Sequence, residues 1–178
     1  MDNPKEDADE LAADAISLLT ADHQKVRWLF QQYDELEDET EQNDLKLELV
    51  QEICFELTLH ALIEEEAFYP AVRAAIDDDD LVDEAEAEHA QIKDLISQLE
   101  EMEPDDERFD ATVMELSEQV ERHLSEEESN MFVKARSAQL DLEDLGRQIL
   151  EGKLEMEDEF NNAPAPQARR DGAGPATS

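Results

Sequence analysis

The chain has 178 residues, with 51 Asp and Glu against 14 Lys and Arg, a formal charge of −37. A surface this negative repels the phosphates of nucleic acid and of anionic membrane, so neither is an expected partner. Few aromatics (5%) and only 4 Gly suit helices rather than a sheet-rich fold, and no window approaches the roughly 18 apolar residues of a membrane span.

Residues 1–10 read as a flexible acidic N-terminus, 11–160 as one folded domain and 161–178, ending PAPQARRDGAGPATS, as a disordered tail. A short helical turn, Leu11 to Leu19, leads into a first helix over about 20–38, with Thr20 or Asp22 as cap candidates. The second helix spans about 44–75, and Pro70 is expected to bend it near its end. The third covers about 80–102 with Asp80 as N-cap, and the fourth follows Pro104 to about 138. A fifth, over about 141–160, spaces Leu142, Leu145, Ile149, Leu150 and Leu154 helically and should pack outside the other four. The expected fold is all-α: an up-down-up-down four-helix bundle with an extra C-terminal helix and a disordered tail. With no basic stretch followed by an apolar one near the start, a cytoplasmic location is expected.

All four histidines fall where an amphipathic helix places a core residue. His23 lies in the series Ile16, Leu19, His23, Val26, Phe30, Tyr33, and His60 in Leu49, Ile53, Leu57, His60, Glu64, Ala67. His89 lies in Val82, Ala85, His89, Ile92, Ile96, and His123 in Leu116, Val120, His123, Glu127, Met131. A buried imidazole without partners is costly, and metal ligation explains four at once.

Turn positions give the same answer independently. In an antiparallel hairpin, residues equally far from the turn share a level. The midpoint of His23 and His60 falls in the polar run Asp38 to Asp44, that of His89 and His123 at Pro104-Asp105-Asp106. That of His60 and His89 falls just before Asp77-Asp78-Asp79-Asp80. All four imidazoles should therefore share one layer. The chain also repeats itself: ADHQKVRWLFQQYDELE (21–37) resembles AEHAQIKDLISQLEEME (87–103), and HALIEEEAFYPAVRAA (60–75) resembles HLSEEESNMFVKARSA (123–138). Two such hairpins about a pseudo-twofold axis suit a two-metal site.

Glu64 and Glu127 follow His60 and His123 by one helical turn and share their core stripe, whereas Glu65, Glu66, Glu126 and Glu128 point elsewhere. In so acidic a chain the spacing alone is weak; the core position is what discriminates. A metal-bound carboxylate is stabilised there, an unpaired one is not. The alternative is a bundle whose core histidines are satisfied by carbonyls or carboxylates. Imidazole with carboxylate and no thiolate points to Fe, Mn or Zn. The candidate ligands are His23, His60, Glu64, His89, His123 and Glu127.

These motifs resemble the hemerythrin-like (HHE cation-binding) family. DAISLLTADHQKVRWLF (14–30) is similar to its opening segment and HALIEEEAFYP (60–70) to its second-helix motif. EHAQIKDLISQL (88–99), HLSEEESNMF (123–132) and DLEDLGRQILEGK (141–153) are similar to its third, fourth and trailing helices. The resemblance implies two non-haem Fe ions, oxo- or hydroxo-bridged, inside the bundle, with Mn or Zn as other possible metals. It makes the four histidines terminal ligands and Glu64 and Glu127 bridges, leaving about one position open on each roughly octahedral iron. Oxygen-carrying hemerythrins add a second His four residues from the first on the third helix. Those positions here are Ala85 and Lys93, so the five-histidine set is absent and reversible oxygen carriage is in doubt. The ferritin-like Glu-x-x-His pattern occurs once, at Glu86 and His89, but Val120 precedes His123 at the matching step, and that alternative fails. Glu86 itself reads as a solvated-face residue, and Tyr69 and Trp28 as packing residues without a role.

The implied function is a cytoplasmic di-iron protein that binds or senses O2, peroxide or NO. A peroxidase- or oxidase-type enzyme and an iron-handling protein without turnover are the alternatives. The acidic excess, with only six Lys, favours adaptation to molar salt over a mesophilic protein whose charge aids solubility. The lone Cys54 excludes an internal disulfide and a thiolate metal knuckle, and reads as a small buried hydrophobe.

Overall fold

Asp14, not Thr20 or Asp22, opens the first helix: its side chain accepts from the Ser17 N–H at 2.8 Å. The computed structural model describes residues 13–36 and 42–163. The expected N-terminus at 1–10, the start of the Leu11 turn and the tail from 164 onward lie outside those residues. Helix α1 (Ala15–Asp34) absorbs the rest of that turn, and α2 (Asn43–Ile63) runs back beside it. A π-helical turn, Glu64–Phe68, carries α2 into α3 (Tyr69–Ala75). Helix α4 (Asp79–Glu100) follows, with Asp78 rather than Asp80 at the N-cap position. Helix α5 (Phe109–Glu126) begins past Pro104, after turns bonded from Phe109 N–H to the Asp106 carbonyl. A second π turn, Glu127–Met131, leads into α6 (Phe132–Ser137), and α7 (Leu142–Asn162) closes the described chain two residues beyond the expected 160 boundary.

Pro70 is not what distorts the second rod. Each π turn starts at a core glutamate, and the fourth rod has its own turn with Val133 where the second has Pro70. The two repeats therefore carry the same wide turn at the same place. Such turns shift the helix register by one residue and recur at functional sites.

Contacts of α1 with α2, α2 with α4, α4 with α5 and α5 with α1 close a ring of antiparallel rods, an all-α four-helix bundle. Two apolar clusters fill it. One is built on Val26, Leu29, Phe30, Ile53, Leu57, Ile92, Leu116 and Val120; the other on Ile16, Leu19, Ile63, Phe68, Val72, Val82, Met131 and Phe132. Each histidine sits on its rod between them: His23 between Leu19 and Val26, His89 between Ala85 and Ile92. The polar layer is thus sealed at both ends. Cys54 is buried in the first cluster, and burial pushes its thiol up to about 12, as a small hydrophobe requires.

Helix α7 lies on α1 and α2 and buries Leu145 and Ile149. Leu150 and Leu154, expected on the same stripe, face solvent, and Trp28 is also exposed rather than packed. The closeness of α7 rests on Gly146, where an added Cβ would stand 2.6 Å from the Ala13 carbonyl oxygen and 3.1 Å from the Asp14 carbonyl carbon. Gly to Ala inside a helix ordinarily stabilises by about 1 kcal/mol. For Gly146→Ala the expected sign is reversed, because backbone must move. A thermal melt reads it: the midpoint falls, and a rise would refute the close approach.

Candidate metal centre

The layer between the clusters brings together all six side chains singled out from the sequence. Glu64 is fully buried, and His23, His60, His89, His123 and Glu127 are at most 5% exposed. The Nε2 atoms of His23 and His60 stand 3.2 Å apart, and those of His89 and His123 3.0 Å apart. Glu64 spans the two pairs, with Oε1 2.9 Å from His60 Nε2 and Oε2 3.2 Å from His89 Nε2. Glu127 places Oε2 3.3 Å from His23 Nε2 and 3.9 Å from His123 Nε2. Two donor groups result, His23–His60–Glu64–Glu127 and Glu64–His89–His123, sharing Glu64.

Every imidazole is oriented from behind by a carboxylate on its Nδ1. Asp22 holds His60 at 3.2 Å, Glu65 holds His89 at 2.9 Å, Glu88 holds His123 at 2.7 Å and Glu128 holds His23 at 2.8 Å. The pattern is cyclic: α1 orients the histidine of α2, the π turn after α2 that of α4, α4 that of α5, and the π turn after α5 that of α1. A carboxylate accepts, so each Nδ1 carries a proton and each Nε2 is the nitrogen that faces inward. Two pairs of Nε2 atoms then face each other at 3.0–3.2 Å beside two buried carboxylates. With the rings neutral, Glu64 Oε1 and Glu127 Oε2 are buried without a hydrogen bond. Such a layer needs positive charge among its donors, from protons on the imidazoles when it is metal-free or from cations, and its four nitrogens and two carboxylates fit metal ions.

The same crowding of charge sets the titration of the metal-free site. Burial alone would lower the His60 imidazole, but Glu64 and Asp22 outweigh it and push it up to about 10. His123 is likewise raised against burial by Glu88 and Glu127. Burial would raise Glu64; the adjoining His60 and His89 instead hold it well below the usual carboxylate range.

Three of the four orienting carboxylates are themselves held by a cation: Asp22 by Lys153 of α7, Glu65 by Lys93 at 2.7 Å and Glu128 by Arg27 at 2.8 Å. Glu65 and Glu128 thus leave the core stripe, as their spacing requires, but reach the histidine of the next rod rather than solvent. Asp22 and Glu88 escaped the sequence reading too. The signal was an acid before His23 and His89 and after Glu64 and Glu127 in both repeats, invisible among 51 acids. Glu86 does stay outside, pairing with Arg73 at 3.4 Å.

Tyr69 also belongs to the site, correcting its reading as packing alone. Its hydroxyl lies 3.2 Å from Glu64 Oε2, 3.2 Å from Glu127 Oε1 and 3.1 Å from His89 Nε2. In a regular α-helix the residue five after Glu64 turns away; the π turn, with the Tyr69 N–H bonded to the Glu64 carbonyl, brings it back. Burial, and then the charges of Glu64 and Glu127, push the phenol up, so it stays a donor. In the other repeat this position is Phe132, stacked on His23 at 5.5 Å. One hydroxyl breaks the pseudo-symmetry.

An antiparallel bundle with a buried imidazole–carboxylate layer defines a helical cation-binding protein. The comparisons specify which: the hemerythrin HHE cation binding domain matches residues 14–135, and the chain belongs to that family. A crystal structure of a hemerythrin HHE cation binding domain-containing protein from Mycobacterium kansasii shares the fold. The TM-score is 0.69 at 23% identity, over 84% of this chain and 93% of that one. A protein of Nostoc sp. (strain PCC 7120) named DNA nickase is 32% identical over 120 residues. That match takes in 67% of this chain but only 33% of the Nostoc protein. No helix among the described residues is long and apolar enough to cross a membrane.

Proposed function

We propose that the protein is a non-haem di-iron protein that binds or senses a small oxidant, O2, peroxide or NO, in the cytoplasm. The observation that carries this is the convergence of four imidazole Nε2 atoms on two carboxylates that keep oxygens without hydrogen bonds. His23 and His60 would hold one iron and His89 and His123 the other, with Glu64 and Glu127 bridging. Imidazole and carboxylate suit Fe, with Mn or Zn as the other metals of the same donor chemistry. When bound, a reduced iron pair supplies two electrons to the oxidant.

The chain's own residues do the rest. The two apolar clusters close the layer above and below, and the Nδ1 carboxylates fix each ring and raise its basicity as a donor. Tyr69 offers a hydroxyl proton within reach of both carboxylates and of His89. The reading does not include cutting DNA: a charge of −37 opposes a polyanion, and the match to the Nostoc nickase leaves two thirds of that protein uncovered. The same charge suits a protein working in concentrated salt.

Elemental analysis with a visible spectrum of protein purified under air tests the reading. Two irons per chain and oxo-to-iron charge-transfer bands are expected. Protein that stays metal-free after incubation with Fe(II) would overturn it. Repeated turnover of peroxide with an electron donor would move the assignment to the enzyme class, and iron that exchanges freely without oxidant chemistry to iron handling.

A further inference from the structure

One corner of the centre is built differently from the other three. Asp22, Glu65 and Glu128 are each hydrogen-bonded by a cation, whereas Glu88, behind His123, lies against another carboxylate, Glu126, and the Arg122 charge acts on it through space. In front of that corner lies a cavity of about 240 Å³ between α4 and the end of α5. Its mouth carries Glu84, Glu126, Ser129 and Asn130, and its floor is His123 and Glu127. Glu84 and Glu126 are exposed, Glu88 half-buried and Glu127 buried, so carboxylates lead inward in steps. At the bottom waits Glu127 Oε2, buried and without a hydrogen bond. The larger groove of about 930 Å³, lined by Val50, Phe55, Leu59, Leu62, Met156 and Phe160, is apolar and reaches no residue of the centre.

We propose that this acidic cleft is the port through which divalent cations reach the buried centre, with Glu84 and Glu126 drawing the ion in and Glu88, His123 and Glu127 receiving it. A hydrated cation needs oxygen donors as it sheds water, and this route supplies them from mouth to floor. An acidic cleft walled by protein also concentrates cations and raises their arrival rate, by about 10-fold or more. The looser hold on Glu88 has the same sense: among the described residues no Lys or Arg is hydrogen-bonded to it as one is to Asp22, Glu65 and Glu128, so its carboxylate stays free to turn toward the arriving ion.

The inference rests on the centre being a metal site. The experiment follows cobalt(II) alone entering metal-stripped protein by stopped-flow absorbance, with the final metal content measured separately. In Glu84→Lys/Glu126→Lys the uptake rate is expected to fall at least about tenfold while final stoichiometry stays that of the parent. Asp94→Lys/Glu115→Lys, which changes the net charge equally on a distant face between α4 and α5, should slow uptake far less. Raising KCl to 1 M should narrow the gap, as the Debye length shrinks to about 3 Å. Equal rates in the two double variants would overturn the port while leaving the centre intact. Parent protein that binds no cobalt would overturn the centre itself.

Discussion

Replacing Glu127 with Ala is expected to reduce two-metal loading by more than about 100-fold while leaving the metal-free protein as stable as before or more so. The two halves of that result come from one fact. Glu127 is 3% exposed, and only one of its oxygens is hydrogen-bonded, by Tyr69. Its burial serves the cation and works against the empty fold. Replacing buried ionic groups by apolar ones of similar volume is often neutral or adds about 1–4 kcal/mol, and here Tyr69, the group that donates to Glu127, keeps Glu64 as its acceptor. For a chain of this size each kcal/mol moves the melting midpoint by about 2–4 °C. With metal present the order inverts, since an ion bound only by the folded state stabilises the parent. His60→Ala should lose loading as well but with the opposite effect on the metal-free form, because it strands Glu64, whose charge His60 supports at 2.9 Å. Metal content by elemental analysis and melts with and without chelator check both. Full metal content in either variant would contradict the ligand set, and a strong loss of stability in metal-free Glu127→Ala would mean the carboxylate serves the fold.

How far the centre could be read beforehand depended on which period carries each residue. Histidines at steps of three and four, and turns midway between them, are properties of straight α-helices. They placed His23, His60, His89, His123, Glu64 and Glu127 in one layer without coordinates. Tyr69 was out of reach because its position depends on a π turn, and no residue type announces one. The rod with Pro70 and the rod with Val133 make the same turn, so proline is not its cause. The orienting carboxylates were hidden for a different reason. They lie one step off the core stripe and act on the neighbouring rod, so only the repeat marks them. Helix starts moved for local reasons: Asp14 caps earlier than Thr20 because Ser17 offers its N–H there and Arg136 approaches its other oxygen at 3.2 Å. Leu150 and Leu154 keep helical spacing yet stay wet, since α7 touches the bundle along a narrower stripe than its leucines span.

The second large effect is expected from salt. In metal-stripped protein the melting midpoint should rise by more than about 10 °C between 20 mM and 2 M KCl, with helical circular dichroism partly lost at the lower end. The fold shows where the strain lies. α1, α4 and α7 have no basic residue in their last turn, and α4 runs out into Glu100, Glu101 and Glu103, α7 into Asp158 and Glu159. A carboxylate at a helix C-terminus opposes the macrodipole by about 0.3–1 kcal/mol, and salt screens that cost. The cations that could have capped these ends are engaged elsewhere. Lys93, Arg27 and Lys153 hold the carboxylates behind the histidines, Lys25 pairs with Glu56 and Lys134 with Asp78. The net charge of −37 already counts every Lys and Arg, so screening by ions has to offset it. Sucrose, which favours compact states without screening charge, should raise the midpoint far less than KCl. Equal midpoints at 20 mM and 2 M KCl would mean that the acidic surface is borne without help from salt. The concentrated-salt reading would then fall, and the metal centre would stand untouched.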